Sequence, residues 1–405
     1  MPVRDRWLLP EGVEEILPEE AFRLETLRRQ ILDLYASWGY DLVIPPLIEY
    51  LDSLLVGSSH DLDLQTFKIT DQLTGRMMGL RADITPQVAR IDAHCLSRRG
   101  GEGQDLPVRL CYSDTVAHTR PRGLLASRIP IRIGAELFGH AGVGCDIELI
   151  CLMHDTLRLT QIEEVHIVLG HVGLFRSLVR ASQLSIDSEN ELFDALQRKA
   201  YDEIDAFLNA QIEDDGIRGM LSDLSRLSGD ESILIAALKS FEDAPSAVRK
   251  ELQELEAIAR GVKRRLPNVS LGFDLCELRG YEYHTGIVFA AYTPGYGRAV
   301  AQGGRFDDIG KVFGRARPAS GFDADLKVLA RLSKAKFERK QAICAPADED
   351  PALEACVVAL REAGERVIKD LDADTLSPKQ LRLLGCDRRI VSSGQEWRVE
   401  SLDEE

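Results

Sequence analysis

No two of the eight cysteines (Cys95, Cys111, Cys145, Cys151, Cys276, Cys344, Cys356, Cys386) are spaced CxxC. A zinc ribbon, a redox pair or a regular disulfide framework depends on such spacing, so the thiols read as small buried hydrophobes. No apolar run approaches the roughly 20 residues that cross a bilayer. The opening MPVRDRWLLPEGVEEIL carries acids where a secretory peptide has its apolar stretch. The expectation is a cytoplasmic protein without membrane contact. Positive charge is in short supply: 50 Lys and Arg face 66 Asp and Glu, for a net charge of −16. That balance weighs against an extended nucleic-acid surface, which needs cations gathered on one face. HExxH, a Walker loop and a nucleophile elbow are all missing, as are internal repeats and low-complexity tracts.

What remains is a chain of 405 residues, 44% hydrophobic, long enough for one large core and one or two smaller ones. Phe22, Leu24, Leu27, Ile31, Leu34, Tyr35 and Trp38 recur at helical spacing and stop at Gly39, which predicts an amphipathic helix with a glycine cap. YDLVIPPLIEY follows as a strand whose prolines confine it to an edge or an interface. Further strands are expected in TFKITD, RMMGLRAD, VRLCYSDTVAH, IRIGAELFG, VHIVLG, NVSLGFDLCEL, LRGYEYHTGIVFAAY and RAVAQGGRFDDIG, and a helix in TPQVARIDAHCL. The ordering predicts an α+β fold on a mainly antiparallel sheet, spanning residues 1–170 and 265–335. Residues 171–264 show helical periodicity and read as an insertion; residues 340–405 alternate strands and helices and read as a small α/β domain.

Several segments carry groups suited to binding. In GLRADITPQVARI, Asp83 and Thr85 share a face if the strand runs through them, and form a pair of acceptors for an ammonium group. The alternative is that one of them caps the helix beginning near Pro86. In LRGYEYHT, strand alternation places Arg279, Tyr281 and Tyr283 on one face and Gly280, Glu282 and His284 on the other. A guanidinium there suits a carboxylate or phosphate, and a carboxylate with phenols suits an imidazole or amine. Gly303 and Gly304 mark either a ligand lying on bare backbone or a bulge. His118, Arg120, Arg122 and Arg128 crowd a turn between two strands, as an anion site or as a solvated loop.

Taken in order, these segments resemble the catalytic core of class II histidyl-tRNA synthetases over roughly residues 8–332. LRADITP is similar to that family's LRPEGTA, residues 109–139 to its strand-loop-strand motif 2, RGYEYHT to its RGLDYYT and GGRFDDI to its GGRYDGL. The resemblance implies that Asp83 and Thr85 hold a histidine ammonium, Arg279 its carboxylate and Glu136 its imidazole, with Tyr283 beside them. Three positions depart from the family near the amino acid: His284 replaces a tyrosine, Phe306 removes a phenol, and Arg132 stands where a glutamine is usual. The ATP half departs further. His118 falls at the motif 2 arginine, and GFDADLKVL replaces GFAIGLERL, so Asp325 and Val328 stand for a glycine and a phosphate-binding arginine. Lys327, one residue off register, is the best candidate for a surviving cation. Together with a short, acidic tail, these changes imply no aminoacyl-adenylate and no tRNA ligand.

RLCY, HTRPRG and GAELFGH are moreover similar to the proteobacterial regulatory subunits of ATP phosphoribosyltransferase. That resemblance implies a non-catalytic chain with no cofactor, no metal and no catalytic residue of its own. It would be a homodimer within a hetero-oligomer, paired through residues 19–50. It would activate the short catalytic subunit at the first step of histidine biosynthesis and respond to histidine as effector. An active synthetase and a stand-alone histidine-binding protein are the competing readings.

Overall fold

The computed structural model describes residues 7–56, 60–96, 106–121, 123, 126–278, 283–371, 376–394 and 396–402. The chain divides into two compact units, Met1–Ala335 and Lys336–Glu405. In the larger unit, β1 (Asp41–Leu42), β2 (Ile48–Tyr50), β3 (Phe67–Thr70) and β4 (Met77–Leu80) precede the long pair β5 (Val108–Thr115) and β6 (Ile131–Phe138). They are followed by β7 (His166–His171), β8 (Ser228–Gly229), β9 (Ser270–Asp274), β10 (Ile287–Tyr292), β11 (Ala301–Arg305) and β12 (Ala319–Asp325). Nine strands form one sheet in the order β1-β5-β6-β12-β11-β10-β7-β9-β8, and β2-β4-β3 form another. Only β1–β5 and β7–β9 pair in parallel, so the sheet is mainly antiparallel, as the pattern predicts.

The first helix, Pro18–Ser37, begins on a proline and buries Leu24, Leu27, Ile31 and Tyr35 at three- and four-residue intervals. It ends before Gly39, whose φ of +82° is the left-handed turn a glycine allows. Leu27 in this stripe is fully buried within the chain, while Phe22, Leu34 and Trp38 remain partly exposed. YDLVIPPLIEY is two strands in two different sheets, not one. Pro45 and Pro46 have no N–H to donate, so β1 ends before them and β2 begins after them. Six cysteines are buried as expected, but Cys95 is exposed and Cys356 only partly covered.

Six helices, from Val172–Ser182 to Ser246–Arg265, occupy the predicted helical segment. The first and last of them pack on β10 and β7 respectively, and the segment also supplies the edge strand β8. In the smaller unit, β13 (Ala342–Ala345), β14 (Val367–Lys369), β15 (Cys386–Ser393) and β16 (Glu396–Ser401) are ordered β14-β13-β15-β16. Helices Pro351–Glu362 and Pro378–Leu383 flank them, and Ile343, Ala345, Leu353, Val357 and Ile390 close the core. Among the described residues no helix is long and apolar enough to cross a membrane.

Arg81 fixes the segment that follows β4. Its side chain is 1% exposed, yet every face of the guanidinium is engaged. It pairs with Asp114 at 2.8 Å and donates to the carbonyls of Thr115 at 2.8 Å and Pro45 at 2.7 Å. Asp114 is partly exposed, so removing the arginine leaves that carboxylate in reach of water and chiefly strands the two carbonyls, at a cost of about 1–3 kcal/mol. Arg81→Ala should therefore lower the unfolding free energy by about that amount in urea titrations. Arg81→Lys should recover only part of it, because a single ammonium cannot reach three acceptors in a fork. A loss no larger than that of an exposed Arg→Ala change would remove Arg81 from this role.

Candidate functional site

The register of β5, β6, β12 and β11 lays three rows of residues across one face of the sheet. Leu110, Glu136, Gly321 and Gly304 are successive cross-strand partners; Tyr112, Gly134, Asp323 and Gln302 form the next row. Asp114, Arg132 and Asp325 form the third. Rows two residues apart share a face. Three glycines make room on it. A Cβ on Gly321 would lie 1.7 Å from Oε2 of Glu136, one on Gly134 2.6 Å from the Tyr112 hydroxyl, and one on Gly304 2.8 Å from the His284 ring. The Glu136 carboxyl, the Tyr112 ring and the His284 ring thus each lie over a bare stretch of backbone.

Glu136 is 1% exposed. Its Oε1 accepts from Thr85 Oγ1 at 2.8 Å and from the Tyr112 hydroxyl at 3.3 Å. Its Oε2 is buried without a hydrogen-bond partner. Burial, with Asp83 and Asp323 nearby, pushes the Glu136 carboxyl well above the usual range, against the pull of the Thr85 hydrogen bond. The shift favours the protonated form. A neutral carboxyl can donate to an imidazole nitrogen, and its ionised form can accept from an imidazolium. An unsatisfied buried oxygen costs about 1–3 kcal/mol, which a ligand group in the right place recovers.

Asp83 and Thr85 do not share a strand face, because β4 stops at Leu80. Nor does either cap the helix Thr85–Arg90, whose N-cap is Ile84 without a side-chain bond. Asp83 Oδ1 instead accepts from the Ile84 N–H at 2.7 Å, and Thr85 turns to Glu136. Arg279, expected on the ligand carboxylate, lies outside the described residues, as do Gly280, Tyr281 and Glu282. The expected alternation does not extend through Tyr283 and His284, since β10 begins only at Ile287. Tyr283 is 46% exposed and its ring lies 4.3 Å from that of His284, tilted by 43°.

His284 is buried, and Nδ1 faces the Arg305 carbonyl at 3.2 Å. Burial lowers its pKa to about 4, so the ring is neutral. Phe306 belongs to the apolar cluster of Ile84, Val88 and Tyr112. Gly303 and Gly304 are in register with both neighbouring strands, so they mark no bulge. Their space is taken by Phe289, Phe322 and His284 of the same chain.

Arg132 pairs with Asp323 at 3.2 Å. Burial works against its charge, but Asp323, Asp325 and Asp83 together raise its pKa. Asp325 caps the helix Leu326–Leu332 by accepting from the Lys327 N–H at 3.0 Å. Lys327 is buried with its ammonium 3.2 Å from Glu14 and 3.4 Å from Ser127 Oγ. His118, expected near a phosphate, is buried with Nε2 3.0 Å from the Ala82 carbonyl. Arg128 donates to the carbonyls of His118 and Glu11. Arg120 is exposed, and Arg122 lies outside the described residues.

Tyr112 and Asp323 are the site residues that sequence reasoning missed. Their signal is the period-two spacing of Leu110, Tyr112 and Asp114, and of Gly321, Asp323 and Asp325, legible only once the register is known. A separate cavity of about 810 Å³, lined by His154, Arg158, His166, Asn268, Ser270 and Tyr292 among others, opens around the ends of β7, β9 and β10. It shares no residue with the Glu136 cluster.

A carboxyl whose pKa is raised on folding binds more protons folded than unfolded, so stability falls as pH rises from the unfolded pKa toward the folded one. Glu136→Gln should abolish that loss: the variant gains stability relative to the wild type as pH rises above the ordinary carboxyl range. Denaturation midpoints measured as pH is raised test it, and parallel curves would mean that folding does not shift the Glu136 carboxyl. For His284 the sign reverses. Its lowered pKa means the unfolded chain takes up the proton first, so stability falls as pH drops from 6.5 toward 4. His284→Gln should flatten that acid limb.

Residues 12–329 match the family model for histidyl-tRNA synthetase, and residues 340–400 match that for the ATP phosphoribosyltransferase subunit HisZ C-terminal domain. The ATP phosphoribosyltransferase regulatory subunit of Chromohalobacter salexigens is 51% identical, covering 99% of this chain and 100% of its own. That of Thioalkalivibrio sulfidiphilus is 53% identical over 98% of this chain and 99% of its own. Among solved structures, an ATP phosphoribosyltransferase regulatory subunit/histidyl-tRNA synthetase from Bacillus halodurans superposes with a TM-score of 0.80 at 24% identity, covering 93% of this chain and 96% of that one. Histidyl-tRNA synthetase from Nostoc gives 0.74 at 19% identity, covering 95% and 91%. Both show the same fold.

Proposed function

Because this chain belongs to the family of ATP phosphoribosyltransferase regulatory subunits, built on a histidyl-tRNA synthetase-like core, we propose that it activates a short-form catalytic subunit and reports histidine to it. The condensation of ATP with phosphoribosyl pyrophosphate belongs to the partner. The observation that carries the histidine reading is Glu136: one carboxyl oxygen is held by Thr85 and Tyr112, the other is buried and bare. An imidazole nitrogen is the chemical complement of such an oxygen. In this reading Asp83 and Thr85 face the ligand ammonium, Arg279 takes its carboxylate, and Tyr283 and His284 border the ring. Phe306 supports the floor from the core, and Arg132 stands beyond the carboxylate with its charge already matched by Asp323.

The same residues speak against synthesis of an adenylate. His118 is spent on a backbone carbonyl, Lys327 on Glu14, and Val328 carries no charge. In-line attack on a triphosphate needs cations aimed at the developing charge, and the described residues on this wall aim none. The acidic chain and its HisZ-type C-terminal unit support a role apart from tRNA. Residues 171–264 we take as a helical insertion into the synthetase-like core.

Histidine regulates the partner only through unequal affinity for the active and inhibited states of the complex. The test is reconstitution with the short catalytic subunit. Phosphoribosyl transfer should rise when this chain is added and fall with histidine. Arg279→Ala should weaken histidine by about 2–5 kcal/mol, by analogy with truncated buried charge pairs. It should leave much of the activation in place. An unchanged inhibition curve in an intact complex would make the pocket vestigial. Histidine-dependent exchange of pyrophosphate into ATP by the isolated chain would favour a synthetase instead.

Pairing of two copies is supported by exposed apolar side chains at Leu42, Ile44, Leu47, Ile48 and Tyr50. Ile44, 76% exposed, is the informative position. Ile44→Asp should yield a folded monomer by sedimentation, and a dimer of unchanged stability would place the interface elsewhere.

A further inference from the structure

Resting on the histidine-pocket reading, we propose that His284 is a specificity-determining residue: its Nε2 accepts a hydrogen bond from a ring N–H of the ligand, so the pocket selects heterocycles with such a donor over similar rings that carry only acceptors. The placement comes from the sheet. Gly321 and Gly304 are direct cross-strand partners on β12 and β11. The bare Oε2 of Glu136 lies over the first, 1.7 Å from where its Cβ would be, and the His284 ring lies over the second, 2.8 Å from its Cβ position. Cross-strand partners turn their Cβ positions to one face, with strands about 4.8 Å apart. The Glu136 carboxyl and the His284 ring are therefore next neighbours on one surface, and a heterocycle bonded to Oε2 lies beside that ring.

The polarity of the ring follows from its other nitrogen. Nδ1 is 3.2 Å from the Arg305 carbonyl, which also accepts from the Thr285 N–H at 2.8 Å. A carbonyl oxygen only accepts, so the bond at Nδ1 requires the proton on that nitrogen. Burial keeps the ring neutral, and the two charges acting on it, Arg176 and Glu277, do so in opposite senses. A neutral imidazole protonated on Nδ1 has a lone pair on Nε2 and nothing to donate there. No hydrogen bond to Nε2 is made among the described residues. The residue that fixes the tautomer is itself held fast: Arg305 pairs with Asp146 at 2.6 Å and donates to the Ala141 and Gly142 carbonyls. The tyrosine of the synthetase pattern would impose no such polarity, because a phenol both donates and accepts. The requirement holds for either form of Glu136. A neutral carboxyl donates to one ring nitrogen and leaves the ligand's N–H for His284; a carboxylate accepts from an imidazolium, whose second N–H goes to His284.

The probes are the two isomers of thiazolylalanine, each of which keeps one ring nitrogen of histidine as an acceptor and replaces the other by sulfur. Whichever nitrogen faces Glu136, one isomer preserves it. In isothermal titration of the full chain, the wild type should bind the better isomer at least about tenfold more weakly than histidine, because the lone pair of His284 is left buried without a donor. His284→Phe keeps an aromatic ring but no acceptor, and should shrink that ratio by about threefold to tenfold. A general weakening of the pocket cancels in the ratio. A second readout uses the wild type alone. With the histidine residues of the chain isotope-labelled and the ligand unlabelled, the nitrogen resonance of His284 Nε2, assigned through its own backbone, should be that of an unprotonated nitrogen and should move upfield when histidine binds. Equal binding of histidine and the better isomer by the wild type would overturn the proposal, as would an unchanged ratio in a folded His284→Phe chain or a protonated Nε2. If histidine binds and the ratio or the resonance fails to move, this inference alone falls. If histidine does not bind, the pocket reading falls and takes the inference with it.

Discussion

The guanidinium of Arg81 holds together three parts of the chain that sequence distance keeps apart. It reaches Asp114 and Thr115 at the end of β5 and the Pro45 carbonyl between β1 and β2. Backbone bonds extend the same joint: the Arg81 N–H reaches the Leu47 carbonyl, and the Ala117 N–H reaches the Arg81 carbonyl. A buried cation is tolerated only when its donors are satisfied, so the three segments are positioned together or not at all. Asp83 and Thr85 follow two and four residues later, and their placement over β5 and β6 is inherited from this joint. Stability and site geometry thus rest on one ion.

On the sheet itself the governing constraint is the absence of side chains. Glu136 can lie flat because Gly321 has no Cβ, and Tyr112 reaches it because Gly134 has none. Any side chain at either glycine would push the polar group out of the layer or the strand out of register. The result is a carboxyl with one oxygen satisfied by the protein and one left bare in a low-dielectric place. Such a group is costly in the empty state and selective in the filled one.

The wall beyond it carries the family's division of labour. A synthetase uses cations at this end to stabilise a reacting phosphate. Here Arg132, Lys327 and His118 are all engaged internally, by Asp323, by Glu14 and by a backbone carbonyl. Arg132 and Asp325, each unexpected against the synthetase pattern, are cross-strand partners. The charge of Arg132 is thus matched within the chain, by Asp323 in contact and by Asp325 across the strands.

The local features were legible from the sequence because they depend on neighbours along the chain. The amphipathic first helix and its Gly39 stop, the strands of the sheet, the helical stretch after β7 and the small terminal α/β unit all follow from periodicity and from the fixed dihedrals of glycine and proline. The resemblance of LRADITP and of the motif 2 segment to histidyl-tRNA synthetase implies Asp83, Thr85 and Glu136 in one site, and Thr85 does bond to Glu136. Their actual partners were not legible. Thr85 could bond to Glu136, Tyr112 could join them, and Arg132 could be matched by Asp323 only once β5, β6 and β12 had adopted a particular register. Register is a long-range property: a shift of one residue moves every side chain to the other face without altering the local pattern. For the same reason the sequence could not tell that Leu27 serves this chain's own core, or that His118 is committed to a carbonyl. Burial belongs to the packed molecule, and only the tertiary structure decides which polar groups are left for a ligand.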